Sequence, residues 1–537
     1  MEKYIFLEGG TGLRVGLAVT HMMCCMNMYQ KNNYSMNDWN MIFETMDSGN
    51  EELTQITKMV SVTDNAVCEG TLKAIYPDVK FQDIRIPNEM LARRGMPVNA
   101  KIPLKQVVNT WYDNHLLLTP QQMEQDLLGG YYKDLCRGRF ISGASFDTAV
   151  SKEETLVSGQ KVGFQYISDK VANADGNGDI RVVFVSSAIG GEGRTNITSH
   201  PEKLIRLCME KLEHRGYTRP NAETHIKNVL KIAVIMTGSV FSFPNKNSGK
   251  PADVRNLVIG TFKSYPESLA QKINIFYLLE HDHMTIQSER YSDSGAQAKH
   301  AHAIELVAVS MIHNFFDRTR GDLSGNYKTV IPYYSIPLSY RLPHNPNEKD
   351  ETTWDTLKLF KSYKEAILSR IRFDEVLFHY IASQALSENI IVTELLRNMF
   401  NQKKVNKIAA FIQDIPYNTE KKIKEPIRKI LEIERLWLNY MRDICLTGKD
   451  WSAGGDISAF KTHLDPITVN NIDNMLSENR LEINTFSLTT LQTETGFLRR
   501  GVTIEKAKNV NYTRGGHIPR EITDILNDIY QNCKNIR

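Results

Sequence analysis

Short, unbroken apolar runs alternate with helical hydrophobic patterns along the N-terminal part of the chain. Runs of this kind, rich in β-branched residues, are typical of strands that are buried on both faces. They predict strands at residues 4–7, 41–46, 182–185, 232–236 and 273–279. Because helical patterns lie between the runs, we expect an α/β fold: a mostly parallel, Rossmann-like sheet with helices on both faces.

The pattern changes after residue 294. Residues 295–316 are apolar on nearly every side, which predicts a central core helix, and residues 328–338 predict further strands. From about residue 352 to 446, apolar positions recur at helical spacing. A chain of 537 residues is too long for one ordinary domain. We therefore expect an α/β domain at 1–294 with a long insertion at about 51–180, the core helix and following strands at 295–345, and a helical or mixed C-terminal domain at 346–537.

A glycine-rich stretch follows the first predicted strand. It contains Gly9, Gly10, Gly12 and Gly16, with the spacing GxGxxxG from Gly10, and a helical pattern continues to about residue 28. Glycine allows backbone N–H groups to approach a ligand without a Cβ in the way. The N–H groups at a helix N-terminus also attract anions. The stretch therefore predicts a phosphate-binding turn at the start of a βα unit.

A second stretch of this kind follows the strand at residues 182–185. Gly190, Gly191 and Gly193 break the chain within a few residues, and a helical pattern comes after them. The S-x-x-E box that begins at Ser199, with Pro201 suited to a first turn, predicts that this helix begins near residue 200. The stretch can bind an anion, and a glycine-rich connection without a ligand explains it equally well.

Bulk properties exclude several classes of protein. A net charge of +3 predicts neither a nucleic-acid partner nor a polybasic membrane anchor. Seven cysteines without a CxxC motif argue against a disulfide framework and a zinc ribbon, and indicate reduced thiols. The opening MEKYIFLEGG lacks the pattern of a signal peptide, and the apolar windows are too short or too interrupted to span a bilayer. We expect a cytoplasmic protein without a nucleic-acid or membrane partner.

Asp47 and a group of histidines are further candidates for contacts to a bound molecule or a metal ion. Asp47 ends the second predicted strand, where an acid often meets a ribose hydroxyl and where it can equally open a turn. Five histidines lie within residues 281–313, but no HExxH or other ligand spacing is present, so surface or capping roles are favoured over a metal site.

The two glycine stretches resemble the phosphate loops of the tubulin/FtsZ superfamily. Residues 9–16, GGTGLRVG, are similar to its first loop, which is typically GQCGNQIG in tubulins, and residues 190–195, GGEGRT, are similar to its GGTGSG loop. The strand that ends at Asp47 and the core helix at 295–316 also lie where the family has a strand ending in an acid and a helix joining two domains. The resemblance covers about the first 340 residues.

This resemblance implies a guanine nucleotide, GTP or GDP with Mg²⁺, held by backbone N–H groups. The site residues would be Gly9, Gly10, Thr11, Gly12, Arg14, Gly16, Asp47, Gly190, Gly191, Glu192, Gly193, Arg194 and Thr195. It also implies head-to-tail self-association, which gives filaments when the contact does not close. Hydrolysis would use Asp317 or Asp322 of the adjacent subunit to polarise water. The helical C-terminal region would be available to a protein partner.

The chain departs from the family pattern at several positions. Glu192, Arg194 and Thr195 replace the threonine, the serine and the last glycine of the second loop. A carboxylate beside a triphosphate is repulsive unless a metal or Arg194 compensates it. Asp317 and Asp322 supply acids after the core helix but not the family's NxDxxD/E spacing, so a GTPase with a degenerate catalytic loop is expected to be slow or inactive.

Two other functions fit the same residues. An NAD(P)-dependent or other dinucleotide-binding enzyme would place its pyrophosphate on the first glycine stretch and its ribose on Asp47. The other possibility is a non-enzymatic module that senses a nucleotide. The carboxylate of Glu192 favours it, because this charge disfavours a tightly bound triphosphate. The tubulin-like hypothesis alone requires both glycine stretches to meet over one phosphate chain.

Overall fold

A computed structural model describes parts of the chain between residues 1 and 441. The described residues are 1–29, 36, 38–44, 52, 54–56, 59, 81–84, 119–124, 163–237, 259–261, 263–264, 272–280, 301, 303–321, 323, 333–335, 366–367, 370, 433–434 and 436–441. The predictions for residues 295–300, for Asp47 and for Asp322 lie outside this part of the chain.

Among the described residues, seven parallel strands form one sheet. The strands are β1 (Glu2–Glu8), β2 (Trp39–Glu44), β3 (Phe81–Ile84), β4 (Ile180–Ser187), β5 (Leu230–Thr237), β6 (Ile275–Glu280) and β7 (Tyr333–Ser335). Their order is β3-β2-β1-β4-β5-β6-β7. Every residue of β4 and β5 is buried, as expected for central strands with continuous apolar runs. The predicted parallel α/β sheet is therefore confirmed.

The described helices are α1 (Gly9–Tyr29), α2 (Pro120–Met123), α3 (Phe164–Asn173), α4 (Gly191–His214), α5 (Arg219–Val229) and α6 (Ala303–Asp317). All of them except the short α2 pack on the sheet, and together they cover both of its faces. Phe6 of β1 stacks on Phe164 of α3 with ring centroids 4.6 Å apart. The next residue, Leu7, lies against α1 at Gly12 and Gly16. Since successive residues of a strand face opposite ways, α3 and α1 lie on opposite faces.

Both helices that follow a glycine stretch begin earlier than the sequence predicted. Helix α1 begins at Gly9, directly after β1, and α4 begins at Gly191. The prediction that Ser199 caps α4 and that Pro201 lies in its first turn is wrong, because both residues lie inside the helix. The Ser199 hydroxyl instead donates to the Thr195 carbonyl, one turn back, at 2.9 Å. A serine in a helix interior often donates its hydroxyl to a carbonyl one turn back. An S-x-x-E pattern can therefore lie inside a helix as well as at its start.

Helix α4 ends in a glycine cap. Gly216 has a φ of 87°, a conformation that favours glycine. The Tyr217 amide donates to the Leu212 carbonyl at 3.1 Å, and the Gly216 amide donates to the Glu213 carbonyl at 2.9 Å. This pair of bonds is a Schellman motif, and it satisfies the last carbonyls of the helix.

Charged side chains fix the amino edge of the sheet, which we define as the starts of β1, β4 and β5. Arg181 in β4 donates to the carbonyls of Phe315 and Phe316, at 2.9 and 2.8 Å, and binds both carboxylate oxygens of Asp179 at 3.0 Å. Arg320 donates to the Asn177 carbonyl at 2.9 Å. The C-terminal end of α6 is therefore held at the amino edge.

Residues from the predicted C-terminal domain pack on α1. The buried guanidinium of Arg370 makes two 3.0 Å hydrogen bonds to the carboxylate of Glu434 and one of 3.2 Å to the carbonyl of His21. It also lies 4.4 Å from the ring centroid of Trp437. Burial, and then the Arg370 charge, lower the pKa of His21 well below its usual value. This cluster therefore joins residues that lie more than three hundred positions apart along the chain.

The region predicted to be an insertion, about 51–180, also contributes to the sheet domain. It contains β3, which pairs with β2, and α3, which covers β1. Within the part of the chain that the structure describes, no helix is long and apolar enough to cross a membrane.

Candidate functional site

The first glycine stretch makes a close contact between α1 and the ends of two strands. A Cβ on Gly12 would lie 2.5 Å from the Leu7 carbonyl carbon and 2.9 Å from the Val185 oxygen. Both contacts are with backbone, which has no flexible end that could move aside. Gly9, with a φ of 66°, makes the abrupt change from strand to helix. Glycine is therefore required here for the first turn of α1 to lie against β1 and β4.

The second stretch uses glycine in the same way. A Cβ on Gly193 would lie 1.9 Å from the Ser186 Oγ and 3.2 Å from the Glu8 oxygen. The Ser186 hydroxyl donates to this same Glu8 oxygen at 2.8 Å. The first turn of α4 thus lies on the end of β1 as well as on the end of β4.

The two glycine stretches therefore meet at the carboxyl edge of the sheet, which we define as the ends of β1, β4 and β5. Strands β1 and β4 are neighbours, and the chain leaves β1 toward β2 and leaves β4 toward β5, in opposite directions. Such a switch point is where open α/β sheets bind ligands. The N-termini of α1 and α4 both lie there, and their N–H groups and dipoles favour an anion.

The hydroxyl groups near the start of α4 are used within the helix. Thr195 donates to the Gly191 carbonyl at 2.7 Å, and Thr198 donates to the Thr195 carbonyl at 2.9 Å. Glu192 is the second residue of this helix. Ligand contacts from this turn would therefore come from backbone N–H groups rather than from the threonine hydroxyls.

Two buried side chains near the carboxyl edge have unsatisfied polar atoms. Neither polar atom of the Asn196 side chain, in the second turn of α4, has a hydrogen-bond partner among the described residues, and the same holds for the Thr237 hydroxyl at the end of β5. Buried polar groups are nearly always hydrogen-bonded, and a bound ligand or water would supply the missing partners.

Residues 259–261, which are helical, cover the turn between β4 and α4. Thr261 donates to the Ala188 carbonyl at 2.8 Å. The Arg194 Nη2 lies 3.2 Å from the position that a Cβ would take at Gly260. The Arg194 side chain, which the sequence predicted to contact the ligand, therefore extends toward this segment.

Arg14, also predicted to contact the ligand, joins α1 to α6. Its Nε and Nη2 atoms lie 2.7 and 2.6 Å from Glu305 Oε1, and both side chains are buried. Tyr440, from the C-terminal segment, lies beside the same carboxylate. Burial, and then the Glu305 charge, raise the pKa of the Tyr440 hydroxyl well above its usual value. Arg14 is thus part of a link between the glycine stretch, α6 and the C-terminal segment.

A buried acid and a histidine lie directly beneath the glycine stretches. Glu8, the last residue of β1, is fully buried, and one of its carboxylate oxygens lies 2.8 Å from Nδ1 of His200 in α4. The Phe164 ring packs against His200 in a T-shaped arrangement with centroids 5.2 Å apart. No sequence pattern pointed to this pair, because the two residues are 192 positions apart and neither belongs to a motif.

The predicted catalytic acid Asp317 lies elsewhere. It is the last residue of α6, at the amino edge, and its half-exposed carboxylate lies 3.4 Å from His313 Nε2. The glycine stretches are at the opposite edge. Within one chain, Asp317 is therefore not brought to the glycine site.

No protein-family model, no curated protein and no solved structure matches this chain.

Proposed function

We propose that this protein is tubulin/FtsZ-like: it binds GTP or GDP at the carboxyl edge between β1 and β4, and it self-associates head to tail with slow or absent hydrolysis. The meeting of the two glycine stretches carries the proposal. The hydroxyl of Ser186 at the end of β4 bonds to the carbonyl of Glu8 at the end of β1 at 2.8 Å, and Gly193 packs on both residues.

A polyphosphate suits this arrangement better than a single small anion. Each helix N-terminus supplies N–H groups that lack a partner within the helix, together with the positive end of a dipole. Two such ends, which approach from opposite faces of the sheet, can bind successive phosphates of one chain. Arg194 would add a positive charge beside them, which offsets the negative charge that Glu192 brings to the same turn.

The position of Asp317 favours self-association. The thirteen residues from Glu305 to Asp317 extend roughly 18 Å along α6, from the Arg14 end to the amino edge. When the amino edge of one copy lies on the carboxyl edge of another, Asp317 of the first copy approaches the nucleotide of the second. Repetition of this contact without closure gives a filament.

A second candidate has an observation of its own. The order β3-β2-β1-β4-β5-β6 is also the strand order of dinucleotide-binding enzymes. In that case NAD(P) would lie across the same switch point. The second glycine stretch weighs against it, since such a fold needs only the turn after its first strand.

Analysis of the bound nucleotide tests these proposals. The full chain is purified, denatured, and the released nucleotide is identified. Light scattering of the intact protein is then followed with GTP, GDP, ATP and NAD. We expect a guanine nucleotide and an increase in scattering with GTP. Release of NAD(P) would favour the dinucleotide-binding enzyme. If the protein binds none of the four nucleotides, the proposed nucleotide site is refuted.

A further inference from the structure

We infer that Asn196 contacts the ligand of the glycine site directly, and that its carboxamide donates a hydrogen bond to a phosphate oxygen. This inference rests on the proposed function, because it concerns the same ligand. It goes beyond that proposal, in which backbone N–H groups and the charge of Arg194 hold the phosphates. Asn196 adds a neutral side-chain donor to these contacts.

The carboxamide of Asn196 is buried without a partner. The residue is fully excluded from solvent, and neither its Nδ2 nor its Oδ1 has a hydrogen-bond partner among the described residues. The hydroxyls beside it behave differently, since those of Thr195, Thr198 and Ser199 each donate to a carbonyl one turn back. A buried amide without a partner costs folding free energy that an apolar side chain of the same shape does not. The folded protein thus retains a donor and an acceptor that a ligand can satisfy.

The position of Asn196 directs this carboxamide toward the proposed phosphates. Asn196 follows Gly193 by three residues, and residues with this spacing are neighbours on the surface of a helix. Because the Cα–Cβ bonds of a helix tilt toward its N-terminus, the side chain of Asn196 leans over the first turn of α4. Gly193 has no side chain in that turn, and it packs on Ser186 and Glu8 at the ends of β4 and β1. The carboxamide therefore lies beside the strand ends where the two glycine stretches meet.

The chemistry of the group favours a phosphate oxygen. Phosphate oxygens accept hydrogen bonds, and a bond to a charged acceptor is stronger than a bond to a neutral one. The amide of Asn196 is itself neutral, so its contribution does not depend on a protonation state. Since no described residue bonds to the carboxamide, it can turn about χ2 until Nδ2 faces the phosphate. A water molecule bound with the nucleotide can then donate to Oδ1.

Substitution by leucine separates ligand binding from a structural role. Leucine has the branching of asparagine and no polar atoms, so Asn196→Leu removes both unsatisfied atoms. Thr198→Val is the matched control, because Thr198 is also buried in the second turn of α4 but its hydroxyl is bonded within the helix. Both variants are prepared in the full chain. Affinities for GTP and guanosine are measured by isothermal titration calorimetry, and thermal unfolding without ligand is followed by circular dichroism.

We expect Asn196→Leu to weaken GTP binding by about tenfold or more and to leave guanosine binding unchanged, because guanosine lacks the phosphates. Without ligand, the same variant should unfold at a temperature about 2 °C higher than the wild type, because an unsatisfied amide has been removed. A residue with only a structural role would not combine lower affinity with higher stability. Thr198→Val should bind GTP as the wild type does and should not gain stability.

Three results would overturn the inference. They are unchanged GTP affinity in Asn196→Leu, a loss of affinity that is accompanied by a loss of stability, and a loss of guanosine binding as large as that of GTP binding. If Asn196→Leu does not fold, the smaller Asn196→Ala replaces it, and unchanged GTP affinity in that variant would refute the contact. A wild-type protein that does not bind GTP would refute the proposed function itself, which distinguishes the two failures.

Discussion

The two edges of the sheet are built from different kinds of group. At the carboxyl edge, glycines allow helices to touch strand ends, and the N–H groups of two helix N-termini converge. At the amino edge, the side chains of Arg181 and Arg320 bond to backbone carbonyls and to Asp179. Groups that can bind an anion are thus concentrated at one edge, while those at the other are used to anchor α6. This contrast is the reason why the proposed ligand is assigned to the carboxyl edge, whereas the amino edge holds α6 on the sheet.

The largest effect is expected from Gly12→Ala at the carboxyl edge. The new methyl group would lie 2.5 Å from the Leu7 carbonyl carbon, and backbone cannot move aside cheaply. We expect the free energy of unfolding to fall by about 3 kcal/mol, as measured by chemical denaturation. Gly176→Ala is the control at the amino edge, where no heavy atom lies within 4 Å of the added carbon. An equal loss in both variants would contradict the proposed difference between the edges.

At the amino edge, Arg181→Met should have the next largest effect. The substitution removes two hydrogen bonds to the carbonyls of Phe315 and Phe316 and leaves those oxygens without this donor. We expect a loss of about 2 kcal/mol in the free energy of unfolding, with nucleotide affinity unchanged. A loss of affinity without a loss of stability would show that the amino edge affects binding directly.

The amino edge should also make stability depend on pH. His313 packs edge-on against Trp39, at the start of β2, and burial, and then Lys3, lower the pKa of His313 to about 3. The unfolded chain, with a histidine pKa of about 6.5, takes up a proton below that pH, whereas the folded protein does not until near pH 3. Stability is therefore full above about pH 6.5 and falls as the pH is lowered.

The variant His313→Gln isolates this contribution. Between pH 7.5 and 5.5, the wild type should lose about 1 kcal/mol more than the variant, as measured by denaturant titration at each pH. Parallel losses in the two proteins would show that other groups account for the pH dependence.

The smallest effect on stability is expected from Asp317→Asn. The side chain is 49% exposed, so the free energy of unfolding should change by no more than about 0.5 kcal/mol. GTP affinity should be unchanged, whereas any GTP turnover by the assembled protein should fall by at least about tenfold. Glu213→Gln, at the exposed end of α4, is the control. Unchanged turnover in Asp317→Asn would remove this acid from the proposed mechanism.

The sheet was predictable because its central strands are continuous apolar runs. The strand predicted at residues 182–185 became β4, and the one at 232–236 became β5, each extended by a few residues. The order of the strands within the sheet does not follow from their order along the chain. The alternation of strands and helices only limits the sheet to a few possible strand orders.

The helix starts were not predictable from the same rules. Propensity disfavours glycine in helices, yet α1 includes Gly12 and α4 includes Gly193, because close contact with the strands requires them there. Pairs such as Glu8 with His200 and Arg14 with Glu305 join residues 192 and 291 positions apart. Each residue alone looks like an ordinary charge in an amphipathic sequence, so only the fold identifies the pair.

The Arg370 cluster has a practical consequence for shortened versions of the protein. Arg370 and Glu434 lie close enough to Cys24 and Cys25 in α1 to influence both thiols, which are fully buried and have raised pKa values. A fragment that stops before residue 370 would uncover this methionine- and cysteine-rich helix to solvent and air. Fragments for biochemical work should therefore retain residues 366–441, since a shorter one would be prone to oxidation and precipitation.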